Sequence, residues 1–400
     1  MTQVRPDRDA YLPALDGLRA VSILLVVVSH LGLGYVVPGG LGVTIFFFIS
    51  GFIITRMLLS EYARYGTVWV PGFYIKRVFR LAPALIVYIA LSASAFAAVG
   101  APIPVLDVIA SIFYAANYYI LLHGMGGNAV DSPLSILWSL AVEEHFYVAF
   151  PLLLVLMRRR LGAFLAILLG VCAAVAAWRA YLVVALGTLD FLPQRTYIAT
   201  DTRIDSIVFG CVVSLYAFWV ESQRPSSRHR RILMALGSRS TLVVGALMML
   251  GSLLYRNEEF RQTWRYSVQG IAMVPLFLHL FIFKRRDRID GFLRSTLMVY
   301  VGKISYSLYL YHWLALAFLA QLMQGSAAWQ MSGLAIPVML GLSVASYHLI
   351  ETPIRRKGHR LAENLVRGRG RQMAIADLHS AERDGGDGVT HTGRLPIVHS

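Results

Sequence analysis

Residues 138–157 read WSLAVEEHFYVAFPLLLVLM. Such a mostly apolar run of about 20 residues is the length of one membrane crossing. Yet Glu143, Glu144 and His145 stand in succession inside it. An ionisable group within a span is expensive and marks a functional site by default. This stretch therefore predicts both an all-α polytopic membrane protein and the place to look for its chemistry.

The rest of the chain agrees with that class. Of the 400 residues, 57% are hydrophobic and 15% charged, and the mean hydropathy is +0.60. A soluble domain carries about a quarter charged residues. A soluble enzyme, a disordered chain and a disulfide scaffold are excluded. The two cysteines, Cys172 and Cys211, sit in apolar runs and give neither a metal spacing nor a disulfide framework. No metal site is expected. Further spans are predicted at 17–37, 42–60, 82–100, 161–187, 203–220, 240–256, 266–283, 297–320 and 333–350, which makes about ten with 138–157. The first run carries Asp16 and Arg19 and lacks a small-x-small cleavage site, so it reads as a retained helix.

The net charge of +15 is a topology signal in such a chain. With both termini in the cytoplasm, the inner loops collect Arg64, Lys76, Arg77 and Arg80, then Arg158 to Arg160, then Arg228, Arg230 and Arg231, then Lys284 to Arg286. Nucleic-acid signatures are absent, and no nucleic-acid partner is expected. The apolar stretch 107–123 contains Asp107, Asn117 and His123. If it crossed the membrane, the later basic clusters would move outside. It is therefore expected to be an outer interfacial or re-entrant segment. Residues 1–357 read as one integral-membrane domain. Residues 358–400, polar and rich in Gly, Arg, Asp and His, read as a disordered cytoplasmic tail.

Depth sorts the ionisable residues. Arg19 and His30 are eleven residues apart, about three turns and about 16 Å on one helix face. His30 falls about 10 Å from the outer end of its span, and Glu143 about 8 Å down from the outside. Arg203 and Asp205 lie near the outer mouth of the sixth span. His312 lies in the outer half of the ninth, beside Tyr309 and Tyr311. Ser139, Glu143 and Tyr147 follow at i, i+4 and i+8 and form one polar stripe, which favours Glu143 over Glu144 as the cavity-facing acid. The bland alternatives are an ion pair of these acids with Arg179 or Arg203, an interhelical hydrogen bond for His30, and an aromatic-belt role for His312. At the inner level stand Arg19, Arg77 and Arg80, suited to phosphates arriving from the cytosol. Glu351 is a candidate partner for one of them. The reading is an inner anion-binding mouth joined to an outer acid/base site, within reach of an acyl-CoA arm. A transporter or flippase for a polysaccharide precursor or small molecule is the alternative. It would be expected to show repeats or broken helix pairs, which are not evident in the sequence.

These residues resemble the membrane-bound acyltransferase-3 family, which modifies surface polysaccharides, Nod factors and macrolides. Arg19 and His30 fit its Arg-x10-His signature, and Arg77-Val78-Phe79-Arg80 its Arg-x-x-Arg element. The stretch Gly39 to Phe52 fits its glycine-aromatic motif. Residues 138–147 resemble Trp-Ser-Leu-x-Val-Glu-Glu-Gln-Phe-Tyr, with His145 where Gln is usual. Residues 200–205, 305–313 and Ile350-Glu351-Thr352-Pro353 also match. The likeness covers roughly residues 11–354. It implies transfer of an acyl group, commonly acetyl, from acyl-CoA to a hydroxyl of a cell-surface or exported glycan or glycolipid. His30 would be essential, with Glu143 and Glu144 beside it in catalysis. Arg19, Arg77 and Arg80 would serve the donor. Trp138, Tyr147, Arg203, Asp205, Tyr309 and His312 would serve the acceptor. It also implies the inner membrane of a bacterium, with envelope-polysaccharide proteins as candidate partners.

Overall fold

The computed structural model describes residues 11–123, 132–187, 195–223, 226–323 and 328–365, and helices dominate throughout. Pro13 occupies the first turn of α1 (Pro13–Val28), where its missing N–H costs nothing. The helix loosens into a π segment, Ser29–Leu33, which kinks at Gly32 with φ 99°, a conformation open to glycine. α2 (Gly39–Tyr65) stops at Gly66 in the left-handed conformation. α3 (Val70–Ala98) follows.

Next come two short helices, α4 (Val105–Ile112) and α5 (Ala116–His123), broken by Tyr114 at φ 54°. At 1.5 Å per residue each rises about 12 Å, so neither alone crosses a hydrocarbon layer about 30 Å thick. α5 is tied to the bundle because Asn117 Nδ2 and His145 Nδ1 both bond the Thr200 hydroxyl, at 2.9 and 2.7 Å.

α6 (Trp138–Met157) and α7 (Leu161–Ala180) continue the chain. The short α8 (Arg195–Ile198) then leads into α9 (Thr200–Gln223). α10 (Ser227–Leu236) and α11 (Arg239–Leu254) meet at a 55° bend. α12 (Glu258–Gln262) is one short turn before α13 (Arg265–Phe277). α14 (Arg288–Leu293), α15 (Thr296–Lys303), α16 (Ser305–Leu322) and α17 (Ala328–Ser346) complete the order.

α2 and α9 form the centre. A Cβ on Gly51 would fall 1.9 Å from the Ile207 carbonyl oxygen, and one on Gly210 would fall 2.1 Å from that of Phe48. Only glycine lets the two backbones touch in this way, the small-residue packing that membrane helices use where water provides no hydrophobic drive. Beside this crossing Phe48, Phe52, Phe277 and Phe281 form a buried aromatic cluster. The outer helices turn apolar side chains outward: α11 exposes Val243, Leu247 and Leu254, and α17 exposes Leu334, Ile336 and Leu340. Exposed apolar faces on long helices suit lipid.

Among the described residues eight helices are long and apolar enough to cross a membrane, or nine if the bent α10–α11 pair counts as one span. The protein is therefore an all-α multi-pass membrane protein. The difference from ten lies at 297–320. That segment breaks at Ile304 into α15 and α16, and α16 is diluted by Ser305, Tyr306, Ser307, Tyr309, Tyr311 and His312. It lies inside the bundle, with Leu310, Tyr311 and His312 buried. Helix runs on to Leu365, so part of the stretch expected as tail is helical; residues 366–400 lie outside the described residues.

Candidate active site

Two polar regions meet between α1, α2, α3, α6 and α16. The first is a partly open cavity. Its wall carries Arg19 from α1, Arg77 and Arg80 from α3, and Ser139, Glu143 and Tyr147 from α6. Arg77 and Arg80 are three apart on a continuous helix and so share a face. The i, i+4, i+8 stripe of α6 does the same. Glu144 is not among the wall residues, so the cavity side of this helix belongs to Glu143.

A hydrogen-bond chain orders that wall. The Tyr147 hydroxyl donates to Glu143 Oε2 at 3.0 Å, and Ser50 on α2 donates to the Tyr147 oxygen. The Arg77 guanidinium lies over the Tyr147 ring, 4.6 Å from its centroid. Arg19 is held by Asp16 at 3.2 Å. With Asp16 spent on Arg19, the wall presents three guanidiniums and one carboxylate. A cavity of that charge suits a polyanion with several phosphate oxygens. At its far end the Ser139 hydroxyl donates to Tyr309 at 2.6 Å, and Tyr309 donates to the Ile136 carbonyl at 3.0 Å.

Behind Tyr309 lies the second region. The rings of Tyr309 and His312 are 5.7 Å apart, and His312 Nε2 is 3.0 Å from His30 Nδ1. The two imidazole planes are nearly parallel, at 8°. His30 stands in the π segment that ends α1 and is exposed, while His312 is fully buried. The loosened turn, a feature frequent at functional sites, supports the exposed ring.

The network sets the tautomers. His312 Nδ1 lies 3.0 Å from the Leu308 carbonyl oxygen, which only accepts, so Nδ1 carries the hydrogen. In a neutral His312 the Nε2 atom is then a lone pair and accepts from His30 Nδ1. His30 Nε2 is left with a lone pair of its own. Such an exposed, oriented nitrogen can take a proton.

The sequence-predicted residues thus fall into groups. His30, His312 and Tyr309 come together. So do Arg19, Arg77, Arg80, Glu143 and Tyr147 around the cavity. Trp138 packs edge-on to Phe47 and 4.8 Å from Tyr197. Asp205 is buried in a pair with Arg179, Nη2 to Oδ2 2.7 Å, and accepts further from Ser267. Arg203 is buried beside Tyr266. Neither arginine pairs with Glu143 or Glu144. Glu351 accepts from Ser307. Sequence reasoning missed Ser50, Asp16 as the partner of Arg19, and the Arg179–Asp205 bond. The Asp16-to-Arg19 spacing of three was the one legible signal among these. The unusual His145 closes on Thr200 and lies near-parallel to Tyr118, 29° between planes.

A multi-pass helical bundle with a cationic cavity beside a tautomer-ordered histidine pair defines a membrane protein built for group transfer or anion handling. A family model described as an acyltransferase domain matches residues 12–348, and the chain belongs to that acyltransferase-3 family. It is similar to a protein of Staphylococcus aureus strain COL provisionally named an O-acetyltransferase, 30% identical over 367 residues. It is also similar to the O-acetyltransferase OatA of Staphylococcus aureus strain NCTC 8325, 29% identical over 355 residues. Each match covers 87% of this chain and 58% of the relative, so the chain spans under two thirds of their length. No solved structure matches.

Proposed function

We propose that the protein is a membrane-bound O-acyltransferase. In this reading it takes an acyl group, acetyl in the first instance, from a coenzyme A thioester and gives it to a hydroxyl of an exported or surface glycan or glycolipid. The reading also places it in a bacterial inner membrane, with the Arg19–Arg77–Arg80 end of the cavity toward the cytosol.

The step follows from the two regions. The arginines hold the phosphates and the pantetheine arm extends toward Ser139 and Tyr309. The acceptor hydroxyl approaches His30 from the opposite side. His30 Nε2 takes the hydroxyl proton as the oxygen attacks the thioester carbonyl. The tetrahedral intermediate collapses, the C–S bond breaks, and the imidazolium returns its proton to the departing thiolate. His312 holds the His30 tautomer and shares the transient charge. Tyr309 stands between cavity and base, so its side chain must yield for the thioester to reach His30. Glu143, hydrogen-bonded to Tyr147 and facing Arg77, shapes the donor end and does not touch His30.

The observation that carries this reading is the relay from the Leu308 carbonyl through His312 to His30, behind the Tyr309 that lines the three-arginine cavity. In purified protein reconstituted in lipid nanodiscs, His30→Ala is expected to lower acetyl-CoA-dependent acyl transfer by about 100- to 10,000-fold, the usual contribution of general acid–base catalysis. Full transfer by that variant removes His30 from the mechanism. Movement of substrate without acetyl-CoA consumption favours a transporter.

A further inference from the structure

Buried arginines come in two kinds in this bundle. Arg179 is fully satisfied. It reaches both oxygens of Asp205, at 3.0 and 2.7 Å, the Ser267 hydroxyl, and the carbonyls of Thr263 and Thr202. Arg203, one turn before Ile207 on α9, is equally buried and forms no ion pair with a carboxylate among the described residues. Its single hydrogen bond runs from Nη2 to the Thr44 hydroxyl at 3.1 Å. Its Nε and Nη1 are buried and have no hydrogen-bond partner among the described residues. Asp205, the nearest acid in sequence, is already taken by Arg179.

The cluster Arg179, Arg203 and Asp205 therefore carries one positive charge more than it neutralises. A buried charge without a counter-ion is among the costliest features of a folded protein. Aromatic rings offset part of the cost: the guanidinium sits 3.8 Å from the Tyr266 centroid and 5.5 Å from those of Tyr197 and Phe47. Rings hold the cation by its face. They do not use its N–H bonds, which remain free for an acceptor in the guanidinium plane.

The position is informative. Phe47 lies against Arg203 on one side and forms the cavity wall on the other. Trp138 and Tyr197 cover the same place and rest on each other. Arg203 is thus one layer of aromatic side chains away from the end of the cavity bounded by Ser139 and Tyr309, where the acyl group would be handed over.

Resting on the acyl-transfer reading above, we infer that Arg203 is the docking point for an anionic group, a carboxylate or a phosphate, carried by the acceptor. Trp138 and Tyr197 part to admit it. The anion pairs with Nε and Nη1, and this pairing fixes which neighbouring hydroxyl meets His30. The acceptor is then a charged sugar or a phosphorylated glycan or lipid, and a wholly neutral polysaccharide is a poor substrate.

The test uses the full chain in the cells that make it. The envelope material is extracted with and without the protein, and its acylated unit is identified by mass spectrometry. The expected unit bears an ionised group, and phosphorus analysis separates carboxylate from phosphate. With the purified unit as acceptor, Arg203→Gln in nanodiscs raises the acceptor KM about 10- to 100-fold, the range for a lost hydrogen bond to a charged group. Arg203→Lys keeps the charge and recovers part of the loss. A monodisperse gel-filtration profile verifies folding of both variants. A neutral acylated unit overturns the inference, and so does an Arg203→Gln variant that lowers kcat at unchanged acceptor KM. The underlying acyl-transfer reading fails separately, if the acyl content of the envelope is the same with and without the protein.

Discussion

The three-arginine cavity and the histidine pair are built by opposite rules. The cavity is charged, open and only partly neutralised, with three arginines against Glu143 and the Asp16 that holds Arg19. The histidine pair needs no carboxylate and is ordered by one backbone carbonyl, with each ring nitrogen but one given a role. In the proposed mechanism the first region holds a polyanion with surplus charge, which tolerates variation in geometry. In the same mechanism the second region moves one proton with fixed hydrogen positions, which do not. Substitutions should therefore act differently in the two places.

The sharpest contrast is expected at His312. It touches no substrate in the proposed mechanism, so its loss acts only through His30, by freeing its tautomer and withdrawing support for its transient charge. His312→Ala should lower kcat about 100-fold, less than the roughly 10⁴-fold seen when an enzyme histidine is held in the wrong tautomer. His312→Gln, whose amide oxygen can accept from His30 Nδ1, should recover a large part. Equal defects in the two variants would make His312 a packing residue and dissolve the distinction.

Next in size is the cavity. Arg77→Gln should raise the acetyl-CoA KM about tenfold, the cost of one charge-assisted hydrogen bond, with kcat for bound donor little changed. An equal effect on donor and acceptor KM would assign Arg77 to folding, through its contacts with Tyr147 and Phe73.

The smallest effect lies outside both regions. Asp287 caps α14 by accepting from the Asp290 N–H at 3.0 Å and also contacts His279 at 2.6 Å. The Asp290 N–H, followed by His279, holds its carboxyl below the usual carboxylate range. A lowered carboxyl adds stability that is present above the ordinary carboxylate pKa and is lost as pH falls through the folded value. Asp287→Ala should cost about 1 kcal/mol at neutral pH. Thermal unfolding in detergent should show this cost shrinking toward acid pH, with acyl transfer at neutral pH retained.

Much of this was legible in the sequence, for identifiable reasons. Apolar length and the distribution of Lys and Arg reveal spans without any knowledge of contacts. Helical spacing placed Ser139, Glu143 and Tyr147 on one face, and counting rise placed His30 and His312 at one level. Spacing within a helix says nothing about which helices touch. The Arg179–Asp205 bond joins residues from α7 and α9, and His145 of α6 meets Thr200 of α9 across an even wider gap in sequence. The break at Ile304 was hidden because the apolar runs on either side of the short polar stretch around it are together long enough to read as one span. The isolation of Arg203 could not be read at all, since a missing partner becomes visible only when every neighbour is in place.

The division of labour between the two regions has one direct measurement. Membrane vesicles from cells making the protein, carrying their own acceptor, are prepared right-side-out and inverted and supplied with radiolabelled acetyl-CoA from the medium. Inverted vesicles, in which the proposed orientation turns the arginine end of the cavity to the medium, should incorporate label into the envelope acceptor, while sealed right-side-out vesicles should not. Equal incorporation in both orientations would contradict a donor site and an acceptor site on opposite sides of the membrane.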